Sequence, residues 1–258
     1  MNRLIGKRVL ITGASAGIGE ACARAFAAQG AHLVLTARRV DRIQDLAREL
    51  VHEHGVDARA FPLDVSDRAA IEDVMKELED QDLQIDILLN NAGQGKGFVK
   101  IHEGDPDDWD ETIDTNVKGL LYMTRAILPQ MVARDAGHVI NLGSIAGRWT
   151  YPKAAVYSAS KFAVGALTEA INMDLLDTHV RVSSVDPGLT ETEFSGVRFK
   201  GDMERAQKAY AGTTTLTPAD VADAVTYVAN APAHVNVFNL VLMPTDQRHA
   251  MLIHRVAT

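Results

Sequence analysis

The chain has 258 residues, 47% apolar and 23% charged, with 26 basic against 34 acidic side chains and a formal net charge of −8. That length can bury a sizeable core as one large α/β domain, and the composition is that of an ordinary globule. The acidic balance argues against a nucleic-acid surface and gives no support to a membrane surface, and no stretch approaches the roughly 20 apolar residues of a membrane span.

Strand and helix patterns alternate along the chain. The opening MNRLIGKRVLITG has only a short apolar run, so it reads as a first strand over residues 8–12 and not as a signal peptide. A helix follows over 14–30, with Ile18, Cys22, Ala25 and Phe26 as its apolar stripe. Residues 32–36 form a second strand. An amphipathic helix over 41–54 turns Ile43, Leu46, Leu50 and Val51 inward, and a third strand covers 58–63. Then come a helix over 67–80, a strand over 85–90, one long helix over 109–133, a strand over 137–142, a helix over 157–176 and a strand over 180–185. A helix over 218–230 and a strand over 239–243 close the series.

This alternation predicts right-handed βαβ units. The fold class is α/β: a Rossmann-type, doubly wound, mainly parallel sheet with helices on both faces, in a single domain spanning 1–258. Residues 188–217 are the most irregular stretch. A loop with short helices there would sit over the C-terminal ends of the strands, where open α/β sheets bind ligands, and would act as a substrate lid.

The lone cysteine, Cys22, rules out an intrachain disulfide and fits a reducing cytoplasm. It reads as a packing residue. The nine histidines form no H-E-x-x-H or Cys/His ligand pattern, so no metal site is expected.

Two constellations carry chemistry. The first is the turn TGASAGIG, with Gly13, Gly17 and Gly19, where backbone can approach a pyrophosphate at a helix N-terminus. At the end of the second strand, a site for NAD places an acid against the ribose 2′-hydroxyl, whereas NADP calls for arginine against the 2′-phosphate. Here stand Arg38 and Arg39 and no acid, so NADP(H) is the expected cofactor. Asp64 and Val65 follow the third strand and are placed to meet the adenine; Ser66 is the better helix cap, which leaves Asp64 free.

The second constellation is Ser144, Tyr157 and Lys161. Carbonyl reduction takes a hydride at carbon and a proton at oxygen. A tyrosine can give that proton if a nearby cation lowers its ordinary pKa of about 10. Tyr157 and Lys161 are one helical turn apart, and Ser144 can hold the substrate oxygen.

With these motifs the chain resembles the short-chain dehydrogenase/reductases over nearly its whole length. The matching segments are TGASAGIG, Asp64, NNAG at 90–93, Asn116 in DTNVKG, Ser144, YSASK at 157–161 and DPGLTET at 186–192. The resemblance implies that Asn116 anchors a water in a proton relay through Lys161. It implies that Ser144 orients the carbonyl, that Tyr157 is the general acid or base, and that Lys161 also holds the nicotinamide ribose. Ser15, Ile18, Asn91, Ala92 and Gly93 would line the cofactor, with Pro187, Gly188, Thr190 and Thr192 at its nicotinamide end.

EFSGVRFKGD at 193–202, LTPADVADAV at 216–225 and NAPAHVNVFNLVLMPTDQ at 230–247 are similar to the NADP-dependent 3-hydroxy acid dehydrogenase branch, which includes serine and allo-threonine dehydrogenases and whose members are typically homotetramers. That implies a small anionic substrate and a cation near Tyr157. Arg148, four residues after Ser144, and Arg198 are the candidates, with Lys200 behind them. A sulfonate would satisfy the same cation, as in sulfoacetaldehyde reductases. A pocket without a buried cation would instead favour a broad carbonyl reductase, and a non-catalytic NADP-binding regulatory protein would tolerate loss of Tyr157.

Overall fold

The strands β1 (Arg8–Thr12), β2 (His32–Ala37), β3 (Ala58–Pro62), β4 (Ile87–Asn90), β5 (Gly137–Leu142), β6 (Val180–Pro187) and β7 (Asn239–Leu242) form one parallel sheet in the order β3-β2-β1-β4-β5-β6-β7. The computed structural model describes residues 1–256. Because β1 is flanked by β2 and β4, the strand order reverses there, and the crevice at the C-terminal ends of β1 and β4 is the expected ligand position of a doubly wound sheet.

The central strands are apolar on both faces, as a sheet covered twice requires. Val9, Ile11, Ile87 and Leu89 pack into one core with helices α1 (Gly17–Ala28), α2 (Val40–His54) and α9 (Pro218–Ala229). Leu10, Leu88, Val139 and Val182 point the other way, into a core shared with α3 (Arg68–Asp80), α5 (Leu120–Ala133) and α6 (Ala155–Asp174). The strict alternation along β1 and β4 divides the two cores.

Four local differences from the sequence reading have physical causes. The first helix starts at Gly17, because Gly13 and Gly17 adopt positive φ (68° and 58°) and Ala16 is extended, so 13–16 is a turn. Val51 is 44% exposed; the buried stripe of α2 is Ile43, Leu46, Ala47 and Leu50. The cap of α3 is Asp67, which accepts hydrogen bonds from the amides of Ala69 and Ala70, while Ser66 is bonded back to Asp64. The expected long helix begins earlier, as α4 (Pro106–Ile113) behind the cap Asp105. It then passes through a widened π-helical turn, Asp114–Gly119, before continuing as α5. Such turns add a residue without breaking the helix and gather at functional sites.

Residues 188–217 hold two short helices, α7 (Phe194–Arg198) and α8 (Met203–Lys208). Among the described residues no helix is long and apolar enough to cross a membrane. Adjacent positions of α2 make the packing account testable. Leu50→Ala should lower the unfolding free energy by about 2–5 kcal/mol in a urea titration, and Val51→Ala should change it by less than about 0.5 kcal/mol.

Candidate active site

The glycine turn is held against the end of β4 by hydrogen bonds that glycines alone permit. The Asn91 side-chain amide donates to the carbonyls of Thr12 (2.8 Å) and Gly13 (3.2 Å), and the Thr12 hydroxyl accepts from the amides of Asn91 and Ala92 (3.0 Å each). A Cβ at Gly13 would lie 2.9 Å from the Ala92 Cα, and one at Gly19 would strike the Gly13 carbonyl. The result is a bare backbone shelf at the N-terminus of α1, the feature an anionic diphosphate needs.

At the end of β2 the two arginines part. Arg38 faces Asp64 at 3.7 Å. Arg39 donates from Nε to the Ser15 hydroxyl (3.1 Å) and from Nη1 to Glu193 (2.7 Å), which Arg42 also meets at 2.9 Å. Sequence reasoning missed Glu193, because its partners lie about 150 residues away and no local pattern links them.

Tyr157 and Lys161 lie in the first two turns of α6, and Ser144 caps the single turn Ile145–Gly147 after β5. Burial pushes the Tyr157 phenol above its ordinary value; Arg198 and the Ser144 hydroxyl pull it back down. The Lys161 ammonium donates to the Leu142 carbonyl at 2.7 Å. Burial brings Lys161 down to about 8, with the Asp186 carboxylate opposing. Asn116 sits in the π-helical turn. Its side-chain amide donates to the Gln94 carbonyl (2.7 Å) and the Ser160 hydroxyl (2.9 Å), and its oxygen accepts from the Gln94 amide. The widened turn thereby brings Asn116 to within 3.3 Å of where a Gly93 Cβ would stand, and Lys161 Nζ lies 3.7 Å from the same point.

The three candidate cations separate cleanly. Arg148 does not reach the cavity: its guanidinium is bound to the buried Asp186 (2.8 and 2.9 Å) and to Asn239, which corrects the expectation that it meets substrate. A buried carboxylate needs such a partner, and Asp186 also accepts from Ser184 and Asn239. Lys200 is likewise engaged, with Asp108 at 2.8 Å and Asp105 at 3.5 Å. Arg198 faces the cavity. Its guanidinium carbon is 4.8 Å from the ring centroids of Tyr157 and Phe194, 5.5 Å from that of Phe98 and 5.9 Å from that of Tyr151, and it donates to the Tyr151 hydroxyl at 3.1 Å. Apart from Tyr157, these aromatic residues were not singled out in the sequence, where each reads as ordinary packing.

One cavity of about 960 Å³ joins these parts, running from Ser15, Arg38, Arg39 and Asp64 past Asn91 and Gly93 to Ser144, Tyr157, Lys161 and Arg198. The sequence-predicted residues Gly13, Gly17, Ile18, Val65, Ala92, Pro187, Gly188, Thr190 and Thr192 also line it; Gly19, Asn116, Arg148 and Lys200 do not. The glycine shelf, the paired arginines and the Asn91 contacts fit a dinucleotide along this groove.

A family model described as short chain dehydrogenase matches residues 7–202. The chain belongs to that family. It is 49% identical over 249 residues to the NADP-dependent 3-hydroxy acid dehydrogenase YdfG of Salmonella typhi, covering 96% of this chain and 99% of that protein. It is 45% identical over 240 residues to sulfoacetaldehyde reductase 2 of Chromohalobacter salexigens, covering 93% and 94%. A solved structure, the closed form of serine dehydrogenase complexed with NADP+, superposes with a TM-score of 0.90 at 47% identity, over 96% of this chain and all of that one. This short-chain dehydrogenase is an NADP-dependent oxidoreductase acting on CH–OH groups.

The buried ammonium gives a pH prediction. Lys161 titrates near 8 in the folded protein and near 10.4 unfolded, so between those values the unfolded chain holds the extra proton and stability rises with pH. Lys161→Met should therefore be more stable than the parent at pH 7, with the difference shrinking toward pH 10, as read by urea unfolding at both.

Proposed function

We propose that the enzyme interconverts a small 3-hydroxy acid, of the serine, allo-threonine or 3-hydroxypropionate type, and its 3-oxo acid or semialdehyde. The observation that carries this reading is Arg198. It is a guanidinium enclosed by aromatic rings beside Tyr157, and it remains available to a ligand where Arg148 and Lys200 are taken by carboxylates. A carboxylate two carbons from the reacting carbon suits a cation beside, but not at, the proton donor, and arginine binds it through two parallel hydrogen bonds. The names of the similar proteins support the same substrate class.

In this reading Arg38 and Arg39 hold the 2′-phosphate of NADP(H), the shelf of Gly13, Ser15, Gly17, Ile18 and Gly19 holds the diphosphate, and Asp64 with Val65 faces the adenine. Asn91, Ala92 and Gly93 line the middle of the groove; Pro187, Gly188, Thr190 and Thr192 border the nicotinamide end, and Lys161 holds the ribose there. When bound, the cofactor supplies or accepts the hydride at the carbon that carries oxygen. Ser144 holds that oxygen, and Tyr157 gives its proton in reduction and takes one in oxidation. Asn116 acts behind Lys161, by fixing the turn and a water of the relay. Residues 188–217 form a lid that carries Arg198, over a single domain of residues 1–256; the last two residues of the expected span 1–258 lie outside the described residues.

A sulfonate would meet the same cation, and the similarity to sulfoacetaldehyde reductase 2 makes that the second reading. We extend the proposal to a cytoplasmic homotetramer. The sole thiol, Cys22, is buried, and side chains such as Phe238, Val241 and Tyr227 lie exposed around the edge strand β7 and on α9.

The test is NADP+ reduction with L-serine, L-allo-threonine, 3-hydroxypropionate, isethionate and an apolar secondary alcohol, with Tyr157→Phe as the blank. Turnover of the hydroxy acids, with KM raised at least roughly tenfold in Arg198→Ala, is expected for loss of a charge-assisted bond. Turnover of isethionate alone would move the substrate to the sulfonates. Turnover confined to the apolar alcohol would remove the role given to Arg198.

A further inference from the structure

Glu193 has no part in the chemistry above, yet it occupies a decisive place. It is the residue before α7, and the residue before it, Thr192, lies against the glycine shelf, with Cβ 3.4 Å from where a Gly17 Cβ would stand. Its carboxylate is shared between Arg39 (2.7 Å) and Arg42 (2.9 Å). Arg39 is also tied to the glycine turn, through its bond to Ser15. All three charged side chains are about half exposed, so the bridge is a weak and exchangeable one.

We propose that Glu193 competes with the cofactor's 2′-phosphate for Arg39, with Arg42 as the partner that keeps the carboxylate when the phosphate claims Arg39. This rests on the reading that Arg39 meets that phosphate. A dianion outbids a monoanion for one guanidinium, and two anions beside it repel each other, so phosphate binding shifts Glu193 toward Arg42. Glu193 precedes the first residue of α7 and Arg198 is the last, five residues on, a span of about 7.5 Å along a helix. The occupant of Arg39 is thereby linked, through one short rigid element, to the cation that faces Tyr157. The device gives a specificity role to a lid carboxylate. It loosens the hold on the phosphate-bearing cofactor and makes release of that cofactor easier, because Glu193 stands ready to take Arg39 back.

The experiment is the Kd of NADPH and of NADH, measured by nucleotide fluorescence on the intact enzyme at low salt, where exposed charges are least screened. Glu193→Gln should tighten NADPH roughly three- to tenfold and leave NADH within about twofold. No change in NADPH, or an equal change in both, would overturn the proposal. Arg42→Ala should weaken NADPH, by leaving Glu193 to Arg39 alone, and this effect should vanish in Glu193→Gln/Arg42→Ala; an effect that persists means Arg42 binds the phosphate itself and also overturns it. Arg38→Ala/Arg39→Ala is the separate check on the underlying reading. It should weaken NADPH far more than NADH. An equal effect on both would remove the phosphate from Arg39 and the competition with it, whatever Glu193→Gln does.

Discussion

Two ionisable groups of the candidate site constrain what surrounds them: Lys161 is buried and Tyr157, one turn before it, is half-buried. A buried ammonium must be met by acceptors and by negative charge. Lys161 finds the Leu142 carbonyl and the nearby Asp186. Asp186, itself buried, then needs its own cation and donors, which Arg148, Ser184 and Asn239 provide. That chain of requirements runs from α6 through β6 to β7, and it consumes Arg148. The cation that remains is Arg198, which stands on α7 among four aromatic rings, that of Tyr157 included.

The same logic explains the edges of residues 188–217. Lys200 binds the buried Asp108 and the cap Asp105 of α4 on one side, and Glu193 bridges Arg39 and Arg42 on the other. Arg205 donates to the Phe98 carbonyl and stacks on Phe199 between these points. The bridges of Glu193 to Arg39 and Arg42 are exposed enough to break and re-form, which suits the lid role proposed for this segment.

Much of this was legible in the sequence because the signals were local. Apolar runs ending in glycine or asparagine marked the parallel strands, and the spacings Gly13-Gly17-Gly19 and Tyr157-Lys161 are short enough to read as one turn each. Arg38 and Arg39 were legible for the same reason, following directly on a strand. What escaped was decided by partners far along the chain. Arg148 reads as a good neighbour of Ser144 until Asp186, 38 residues on, takes it. The π-helical turn at Asn116 leaves no mark on hydropathy, because the helix continues on both sides. Val51 and Leu50 are equally apolar, and only the rotation of α2 on the sheet decides which is buried. Glu193 is an ordinary loop acid until the fold places two arginines against it.

The central claim is that Arg198, 4.8 Å from the centre of the Tyr157 ring, offsets part of the rise that burial imposes on the Tyr157 pKa, as well as being the cation proposed to meet the substrate anion. It is tested most directly by the pH dependence of kcat/KM for reduction of an uncharged ketone, in which carboxylate binding plays no part, compared between the parent enzyme and Arg198→Ala. With Tyr157 as the proposed proton donor, activity falls as pH rises through its pKa, and burial unopposed by a guanidinium raises that pKa. The account predicts that the basic limb moves to higher pH in Arg198→Ala. A limb that stays in place, or moves to lower pH, would contradict it.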